Sequence, residues 1–414
     1  MGEAIFASGD GGGHPLHDPV HRAFLRAEAR RQLAFFRPSL REDGGFDVLE
    51  ADGTPIAGAP QELHTTTRLV HSYALALSAG MADAAPVVDA GLAFLGAQHR
   101  DPAHGGYFWA VAPGRIVTDT KLAYGHVFVV LAGASAHVAG HPDARALISD
   151  AIGVIERHFW DEARGLLRDE MTRDWQPFST YRGMNANMHG IEAFLAAYEA
   201  TGQEVHLLRA GKMLDFFTAR IAPRHGWRIP EHYDADWQVD PAYRGDQMFR
   251  PPGTTPGHSF ELARLMLQHW DLAGRPATDA PAIARRLMEQ ALTDGWLNQG
   301  GFLYTLDLDG RPSLRDRLWW PVTEAIGALA AFMKIGAQPT DSEWYERLWR
   351  FAAEHYIDTR RGGWLPEIGE DGRPSARLFR GKPDIYHSLQ AALHPLAPGL
   401  SRLQTGLRGA LDAA

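Results

Sequence analysis

Histidine and glutamate side chains interrupt several otherwise apolar, helix-like segments of this sequence. His258 and Glu261 are three residues apart, and His64 and Arg68 are four apart, so each pair lies on one helix face. Comparable segments are interrupted at Tyr124 and His126, at Asn185, Met188 and His189, at Arg250, at Trp319, Trp320 and Glu324, and at Lys382, Asp384 and His387. Because an unperturbed histidine titrates at about 6.5, such a set is suited to moving protons near neutral pH.

Each of these histidines also has a purely structural interpretation. A single histidine on an apolar helix is more often a hydrogen-bonded part of the core, and this interpretation is favoured for His71 and His126. The recurring placement of His189, His258 and His387 favours a functional role for those three instead.

Two kinds of chemistry fit these residues. Glycoside hydrolysis needs two carboxylic groups beside the scissile bond, and Glu261 and Glu324 are the candidates. Proton transfer at carbon needs an acid and a base that titrate near pH 7, and the 20 histidines of the chain favour it. Trp319 or Trp320, beside Glu324, would offer a stacking platform.

Other catalytic classes lack their sequence signals. The chain has no cysteine, which excludes disulfides, thiolate nucleophiles and Cys-ligated metals. Three histidines with a glutamate could hold zinc, but no HExxH-like cluster is present, and we predict neither a metal nor a cofactor. The glycines at 11–13 lack the strand–helix context of a phosphate loop, and no nucleophile-elbow motif supports a serine triad.

A short glycine element, followed by an apolar residue, recurs six times along the chain. The apolar residues are Phe46, Tyr107, Leu166, Trp227, Phe302 and Trp364, at spacings of 61, 59, 61, 75 and 62 residues. The polar residues described above lie roughly 18 to 32 residues after each element. These intervals predict a repeat with room for two helices in each unit.

Helical periodicity fills the repeats. Apolar residues recur at i, i+3, i+4 and i+7 in 63–79, 119–136, 190–200, 260–272 and 322–334. Six helical hairpins predict an all-α fold, an (α/α)6 toroid, with an open α-solenoid as the alternative. In a closed ring the polar residues, near the start of the first helix of each repeat, would converge at one end of a central cavity and form a small-molecule site.

The composition is that of an ordinary globular chain of 414 residues, 45% hydrophobic and 22% charged. A net charge of −9 disfavours a nucleic-acid partner, and no apolar run of about 18 residues exists to span a membrane. The first 20 residues lack the features of a signal peptide, which favours a cytoplasmic location. We expect residues 1–18 to be poorly ordered and 19–414 to form one catalytic domain.

Four segments resemble a known family. They are PGHSFELARL from Pro256, NANMHGIEAF from Asn185, WWPVTEA from Trp319 and GKPDIYHSLQA from Gly381. In combination and order they resemble the N-acylglucosamine 2-epimerase superfamily, and within it the aldose–ketose isomerase branch. The resemblance runs from Arg41 to Pro395, and the family fold is the (α/α)6 barrel.

The resemblance implies a metal-independent isomerisation through a cis-enediol. It makes His258 and His387 the acid–base pair, with His387 moving a proton from C2 to C1 and His258 moving protons between O1 and O2. Glu261 and His189 complete the catalytic set. The substrate-binding residues it implies are His64, Arg68, Tyr124, Asn185, Met188, Arg250, Trp319, Trp320 and Glu324.

The substrate implied is a monosaccharide, with D-mannose and D-fructose as the first pair and D-lyxose and D-xylulose as a second. Sulfoquinovose is an alternative, but it would need a cationic site beyond Arg68, Arg250 and Lys382. A sugar 2-epimerase, an (α/α)6 glycoside hydrolase and a sugar-binding module without catalysis also remain open. Whether the chain is a monomer or a homo-oligomer is not determined by the sequence.

Overall fold

Helices make up most of the structure, a computed structural model that describes residues 4–7 and 14–412. The α-helices are α1 (Pro19–Phe36), α2 (Leu63–Ser78), α3 (Ala85–Phe94), α4 (Ala123–Val138), α5 (Ala144–Val154), α6 (Met184–Thr201), α7 (Glu204–Leu214), α8 (Pro256–Leu272), α9 (Ala280–Gly295), α10 (Trp319–Gly336), α11 (Pro339–His355), α12 (Tyr386–Leu393) and α13 (Leu403–Gly406). The helices α2, α4, α6, α8 and α10 contain or largely overlap the five segments whose periodicity predicted helix.

Six of the described helices contact one another in ring order. Helix α2 packs against α4, α4 against α6, α6 against α8, α8 against α10, α10 against α12, and α12 against α2. These inner helices are buried over most of their circumference; in α4, for example, residues 125–136 are all buried. A helix buried on every side needs neighbours all around it, which explains the rows of alanine, leucine and valine.

A second set of helices covers the first from outside. Helices α3, α5, α7, α9 and α11 pack against the inner helix that precedes each of them, and α1 packs against α12. Their sequences are more amphipathic, with one buried stripe and one exposed face, as a two-layer arrangement requires. Helix α1 also contacts α2, since the Tyr73 hydroxyl donates to the Leu33 carbonyl at 2.7 Å, so α1 touches both the last and the first helix of the ring.

Short strands lie in the segments that connect each outer helix to the next inner helix. They are β1 (Gln61–Glu62), β2 (Ala110–Ala112), β3 (Arg115–Thr118), β4 (Lys121–Leu122), β5 (Trp160–Asp161), β6 (Leu166–Leu167), β7 (Glu170–Met171), β8 (Arg182–Gly183), β9 (His232–Tyr233), β10 (Arg317–Leu318) and β11 (Glu367–Ile368). The antiparallel pairs are β1–β2, β2–β3, β4–β7, β5–β6, β8–β9 and β10–β11. A fold expected to be all-α thus carries a small amount of sheet.

The strand pairs join successive repeats at one end of the ring. The residues before α2, α4, α6 and α10 pair with the chain of the next repeat, and single bridges do the same before α8 (Thr254 with Leu306) and α12 (Lys382 with Leu49). The Lys382–Leu49 bridge connects the last repeat to the first. The N-termini of the inner helices are thereby held together at this end.

Part of the amino end packs on the helices. Phe6 stacks on the ring of His21, and the Ala7 amide donates to Asp18, which also caps α1. The expectation of disorder covered residues 1–18; residues 1–3 and 8–13 lie outside the described residues, and there it stays a prediction. Within residues 4–7 and 14–412, no helix is long and apolar enough to cross a bilayer.

Candidate active site

A cavity of about 330 Å³ lies where the N-termini of the inner helices meet. Ten of the thirteen predicted site residues line it: His64, Arg68, Tyr124, Asn185, His189, His258, Glu261, Trp319, Trp320 and His387. They come from α2, α4, α6, α8, α10 and α12, one or two from each helix. A concave pocket of this size with several titratable groups matches the usual form of a small-molecule site.

His258 is held by a buried carboxylate of its own repeat, in the segment that leads into β9. Its Nδ1 lies 2.8 Å from Oε1 of Glu231, and both side chains are buried. Because a carboxylate oxygen can only accept a hydrogen bond, Nδ1 carries a proton and donates a hydrogen bond to Glu231. The other ring nitrogen, Nε2, is then free to exchange a proton with a ligand in the cavity.

His387 has the same arrangement on α12. Its Nδ1 lies 2.8 Å from Oε1 of Glu324, whose other oxygen accepts from Nη2 of Arg264 at 3.0 Å. Burial alone would raise the pKa of Glu324, but the positive charge of Arg264 and the hydrogen bond from His387 outweigh it and hold that pKa below its usual value. An ionised Glu324 therefore fixes Nε2 of His387 as the nitrogen that meets a ligand.

Glu261 lies among four other charged or polar side chains and makes no hydrogen bond with any of them. Its Oε1 is 3.5 Å from Nδ1 of His189 and 3.8 Å from Nη2 of Arg264, and neither oxygen has a hydrogen-bond partner among the described residues. Burial raises its pKa well above the usual value, and the carboxylates of Glu324 and Glu192 raise it further. The surroundings of Glu261 therefore favour its protonated form.

His189 is neutral in this environment. Burial lowers the pKa of His189 to about 4, although the adjacent Glu192 opposes the shift. Glu192 Oε2 is 3.5 Å from Nδ1 of His189 and also accepts from the hydroxyl of Tyr386. A neutral imidazole beside the cavity can donate or accept a hydrogen bond to a sugar hydroxyl.

Arg68 supplies a fixed positive charge at the cavity wall. Its Nη1 donates to Asp384 Oδ2 at 2.7 Å and its Nη2 to the Tyr124 hydroxyl at 3.0 Å. The guanidinium is sandwiched by the rings of Phe128 and Tyr386, 4.6 and 4.7 Å away. A cation held so firmly can stabilise negative charge that develops on substrate oxygens.

Aromatic rings line both sides of the histidines. The ring of Trp320 has its centroid 4.9 Å from that of His258 and 5.8 Å from that of His387, so it is adjacent to both. Gly257 permits this approach, because a Cβ there would be 2.3 Å from the Trp320 ring. His64 stacks on Trp109, and burial lowers its pKa to about 3, so it is neutral.

Three predicted residues do not line the cavity. Met188 is fully buried in the hydrophobic core. Arg250 is drawn away by an ion pair with Glu170 at 2.8 Å and lies over the ring of Tyr181. Glu324 stands behind His387 and reaches a ligand only through that histidine.

Two groups of side chains have the composition of metal ligands. One is His189, Glu192 and Glu261, and the other is Glu261, Glu324 and His387; in each group the ligand atoms lie within 4.8 Å of one another. The guanidinium of Arg264 is already within 4.0 Å of both Glu261 and Glu324 and supplies a cation there. The prediction that no metal is required stays a prediction.

Several residues of the site were not predicted from the sequence. Glu231 lies immediately before β9, in a segment without helical periodicity, and only the pairing of that segment with β8 and Thr254 brings it to His258. Tyr304 and Phe249 line the cavity from loops that carry no motif. The sequence marks Asp384 as a polar residue near a helix start. It does not indicate the pairing of Asp384 with Arg68, because the two lie 316 residues apart.

Comparisons with known proteins agree with this geometry. The N-acylglucosamine 2-epimerase (GlcNAc 2-epimerase) family model matches residues 44–391. The chain is 40% identical over 401 residues to a D-mannose isomerase of Thermobifida fusca, covering 95% of this chain and 97% of that protein. It is 25% identical over 299 residues to a cellobiose 2-epimerase of Ruminococcus albus, covering 66% of this chain and 70% of that protein.

A solved structure extends the likeness to the fold. A crystal structure of D-mannose isomerase superposes with a TM-score of 0.85 at 30% identity, covering 90% of this chain and 97% of that one. The prediction of the superfamily from four short segments is confirmed. By the extent of the family match and the identity to these relatives, the chain belongs to the N-acylglucosamine 2-epimerase family.

Proposed function

We propose that this protein is an aldose–ketose isomerase that interconverts D-mannose and D-fructose. The observation that carries the proposal is the pair of histidines, His258 and His387, each with Nδ1 on a buried carboxylate 2.8 Å away and both lining one cavity. Likeness to D-mannose isomerases over nearly the whole chain supports the choice of sugar.

The proposed reaction moves two protons and no other atoms. In the direction from aldose to ketose, His258 starts with a proton on Nε2 and His387 starts without one. His387 removes the proton from C2 of the open-chain aldose while His258 gives its Nε2 proton to O1, which yields a cis-enediol. His258 then takes the proton from O2, and His387 delivers its proton to C1. The product is the 2-ketose, and both histidines return to their starting protonation states.

The remaining cavity residues have positioning and electrostatic roles in this proposal. Arg68 stabilises negative charge on the enediol oxygens, since its guanidinium is already oriented by Asp384 and Tyr124 before a ligand binds. The protonated Glu261 and the neutral His189 hydrogen-bond to sugar hydroxyls. Trp320 packs against the sugar beside the two histidines.

We further propose that the described residues from 19 to 412 form one domain with the architecture of an (α/α)6 toroid. The ring order of α2, α4, α6, α8, α10 and α12, the contact of α12 with α2, and the outer position of α1 against α12 support it. An open solenoid would leave α2 and α12 apart.

The geometry does not favour glycoside hydrolysis. A hydrolase would need Glu261 and Glu324 on opposite sides of a bound glycosidic bond, with about 5 Å or more between them. Here both glutamates contact the same Arg264, and Glu324 does not line the cavity.

The proposal is tested with protein dialysed against EDTA and incubated with D-mannose, D-glucose and an aryl mannoside. We expect D-fructose to form from D-mannose at an undiminished rate after dialysis. Formation of D-glucose without ketose would make the protein a 2-epimerase, release of the aryl group would make it a hydrolase, and no reaction with any of the three would refute the proposed substrate.

A further inference from the structure

Two buried Glu–His pairs face the same cavity, and they are built alike from different elements. In each, Nδ1 of a histidine near the start of an inner helix lies 2.8 Å from Oε1 of a glutamate. Glu324 belongs to α10, the helix that packs beside α12. Glu231 is not on a helix; it precedes β9, and its partner His258 is on α8.

The backbone of Glu231 is fixed independently of its side chain. Its amide donates to the Gly253 carbonyl at 3.0 Å, and its carbonyl accepts from the Met184 amide at 2.9 Å. The neighbouring Pro230 bridges to Thr254, immediately before α8. The segment therefore ties the starts of α6 and α8 together and sets where the carboxylate lies.

The carboxylate of Glu231 is largely removed from water, because the side chain of Glu231 is only 3% exposed. Burying a charged group is costly unless it is paired and hydrogen-bonded, and the hydrogen bond that Glu231 makes is the one to His258. Other titratable groups that line the same cavity include Glu261 on the same helix, His387 and Tyr304. Among the described residues, none of these is within hydrogen-bond distance of His258.

We propose that Glu231 is a positioning residue for the reaction: it holds His258 as the Nδ1–H tautomer, so that Nε2 is the nitrogen that exchanges protons with the sugar oxygens. Glu324 does the same for His387, and the two pairs present two Nε2 atoms to one substrate. This inference rests on the proposed function for its catalytic consequence, but the tautomer it assigns can be measured without substrate.

The first experiment uses Glu231→Gln, which preserves side-chain volume and leaves both backbone hydrogen bonds in place. An amide is a weaker acceptor and also offers an NH2 donor, so the Nδ1–H form is no longer enforced. In ¹⁵N-histidine NMR of the ligand-free protein, with His258→Ala used for assignment, we expect His258 to be Nδ1-protonated in the wild type and a mixture of tautomers in the variant. Unchanged His258 signals in Glu231→Gln would overturn the proposal.

Kinetics then separate positioning from binding. We expect Glu231→Gln to lower kcat by roughly 100-fold, the lower end of what general acid–base catalysis contributes, with KM within about twofold. In the His258→Ala background the same change should have almost no further effect, because the residue it positions is gone. A similar loss in both backgrounds, or a loss carried by KM, would mean that Glu231 is only structural.

A matched control is Thr254→Val. Thr254 is buried in the paired segment, and its hydroxyl has no hydrogen-bond partner among the described residues. This variant should change neither the tautomer of His258 nor kcat. If the wild type forms no ketose from D-mannose, the proposed function fails, whereas the tautomer measurement still decides the role of Glu231.

Discussion

Two buried clusters of charge in this protein are satisfied to very different degrees. Asp101 accepts from Lys121 Nζ at 3.0 Å, from Arg173 Nε at 2.9 Å and from the amide of Ala103 at 3.0 Å. Glu261, equally buried, has no hydrogen bond to either oxygen among the described residues. The pKa values move in opposite directions: burial would raise both, but hydrogen bonds from Arg173 and Lys121 hold that of Asp101 far below its usual value.

The difference separates a structural cluster from the cluster that we propose to be catalytic. Both carboxylate oxygens of Asp101 accept hydrogen bonds from within the protein. The cluster therefore holds the chain near the second glycine element and does not need a ligand to complete its hydrogen bonds. Around Glu261 the polar atoms are close together but incompletely paired, beside an accessible cavity. Incomplete pairing costs free energy, and a ligand that completes it recovers that cost.

The largest expected effect is on catalysis at the cluster proposed to be catalytic. His387→Asn should lower kcat by roughly 1,000-fold or more, because general acid–base transfer at carbon is lost. The matched variant is His126→Asn, since His126 is a buried histidine with both nitrogens used, Nδ1 to the Leu122 carbonyl and Nε2 by the Tyr107 amide. It should lower the melting temperature and leave kcat of the folded protein nearly unchanged. Equal losses of kcat in both variants would remove the distinction.

The second effect is on stability at the structural cluster. Asp101→Ala should lower the free energy of unfolding by about 3–5 kcal/mol, because Lys121 is left as a buried unpaired charge. Glu261→Gln should lower it by less than about 1 kcal/mol at about pH 4, since an amide of similar shape replaces the carboxyl group. At neutral pH it should not lower it, because the wild type bears the cost of the raised Glu261 pKa there. Urea denaturation measures both. The comparison is wrong if Glu261→Gln proves the more destabilising.

A smaller effect is expected from exchanging arginine for lysine. Arg68→Lys should lower kcat/KM about tenfold, because an ammonium cannot donate to Asp384 and Tyr124 in the planar, stacked arrangement of the guanidinium. Arg173→Lys is the control in the structural cluster, where the side chain is 36% exposed. Steady-state kinetics with D-mannose should show no change there. A tenfold loss in both would point to a general requirement for arginine.

The smallest effect is on the pH dependence of stability. Folded Glu261 keeps its proton to a higher pH than in the unfolded chain, so it costs stability as pH rises above about 4.3. Folded Asp101 loses its proton at a lower pH, so its contribution is present above about 3.9 and is lost on acidification. The melting temperature of Glu261→Gln relative to wild type should therefore rise from about pH 4 to about pH 8. The amount by which Asp101→Asn lowers the melting temperature should become smaller toward about pH 3. Opposite trends in the two variants would contradict the assigned pKa directions.

Much of the helical frame could be predicted because its signal is periodic. The glycine elements and the apolar rows located α2, α4, α6, α8 and α10, and the polar residues near their starts predicted the cavity. His64, His189, His258 and His387 lie in that cavity because they share a position relative to the helix starts. Periodic sequence and helix position are local properties, which a single sequence displays directly.

The parts that could not be predicted depend on contacts between distant segments. Arg250 looked like a site residue from its place before His258, but an ion pair with Glu170 draws it out of the cavity. The sequence does not point to Glu231, because its partner His258 is 27 residues away and only strand pairing brings the two together. Met188 shares a motif with His189, yet its side chain is part of the core. Side-chain direction and pairing of this kind are tertiary properties.

In the proposed reaction, His387 moves a proton between two carbons of one sugar and His258 moves a proton between two of its oxygens. Proton NMR in D2O tests this transfer. D-Mannose is incubated in D2O with EDTA and the protein, and the position of deuterium in the product is read. We expect D-fructose labelled at C1, and we expect His387→Asn to abolish both product and label. Fructose that retains only protium at C1, together with mannose unlabelled at C2, would contradict it.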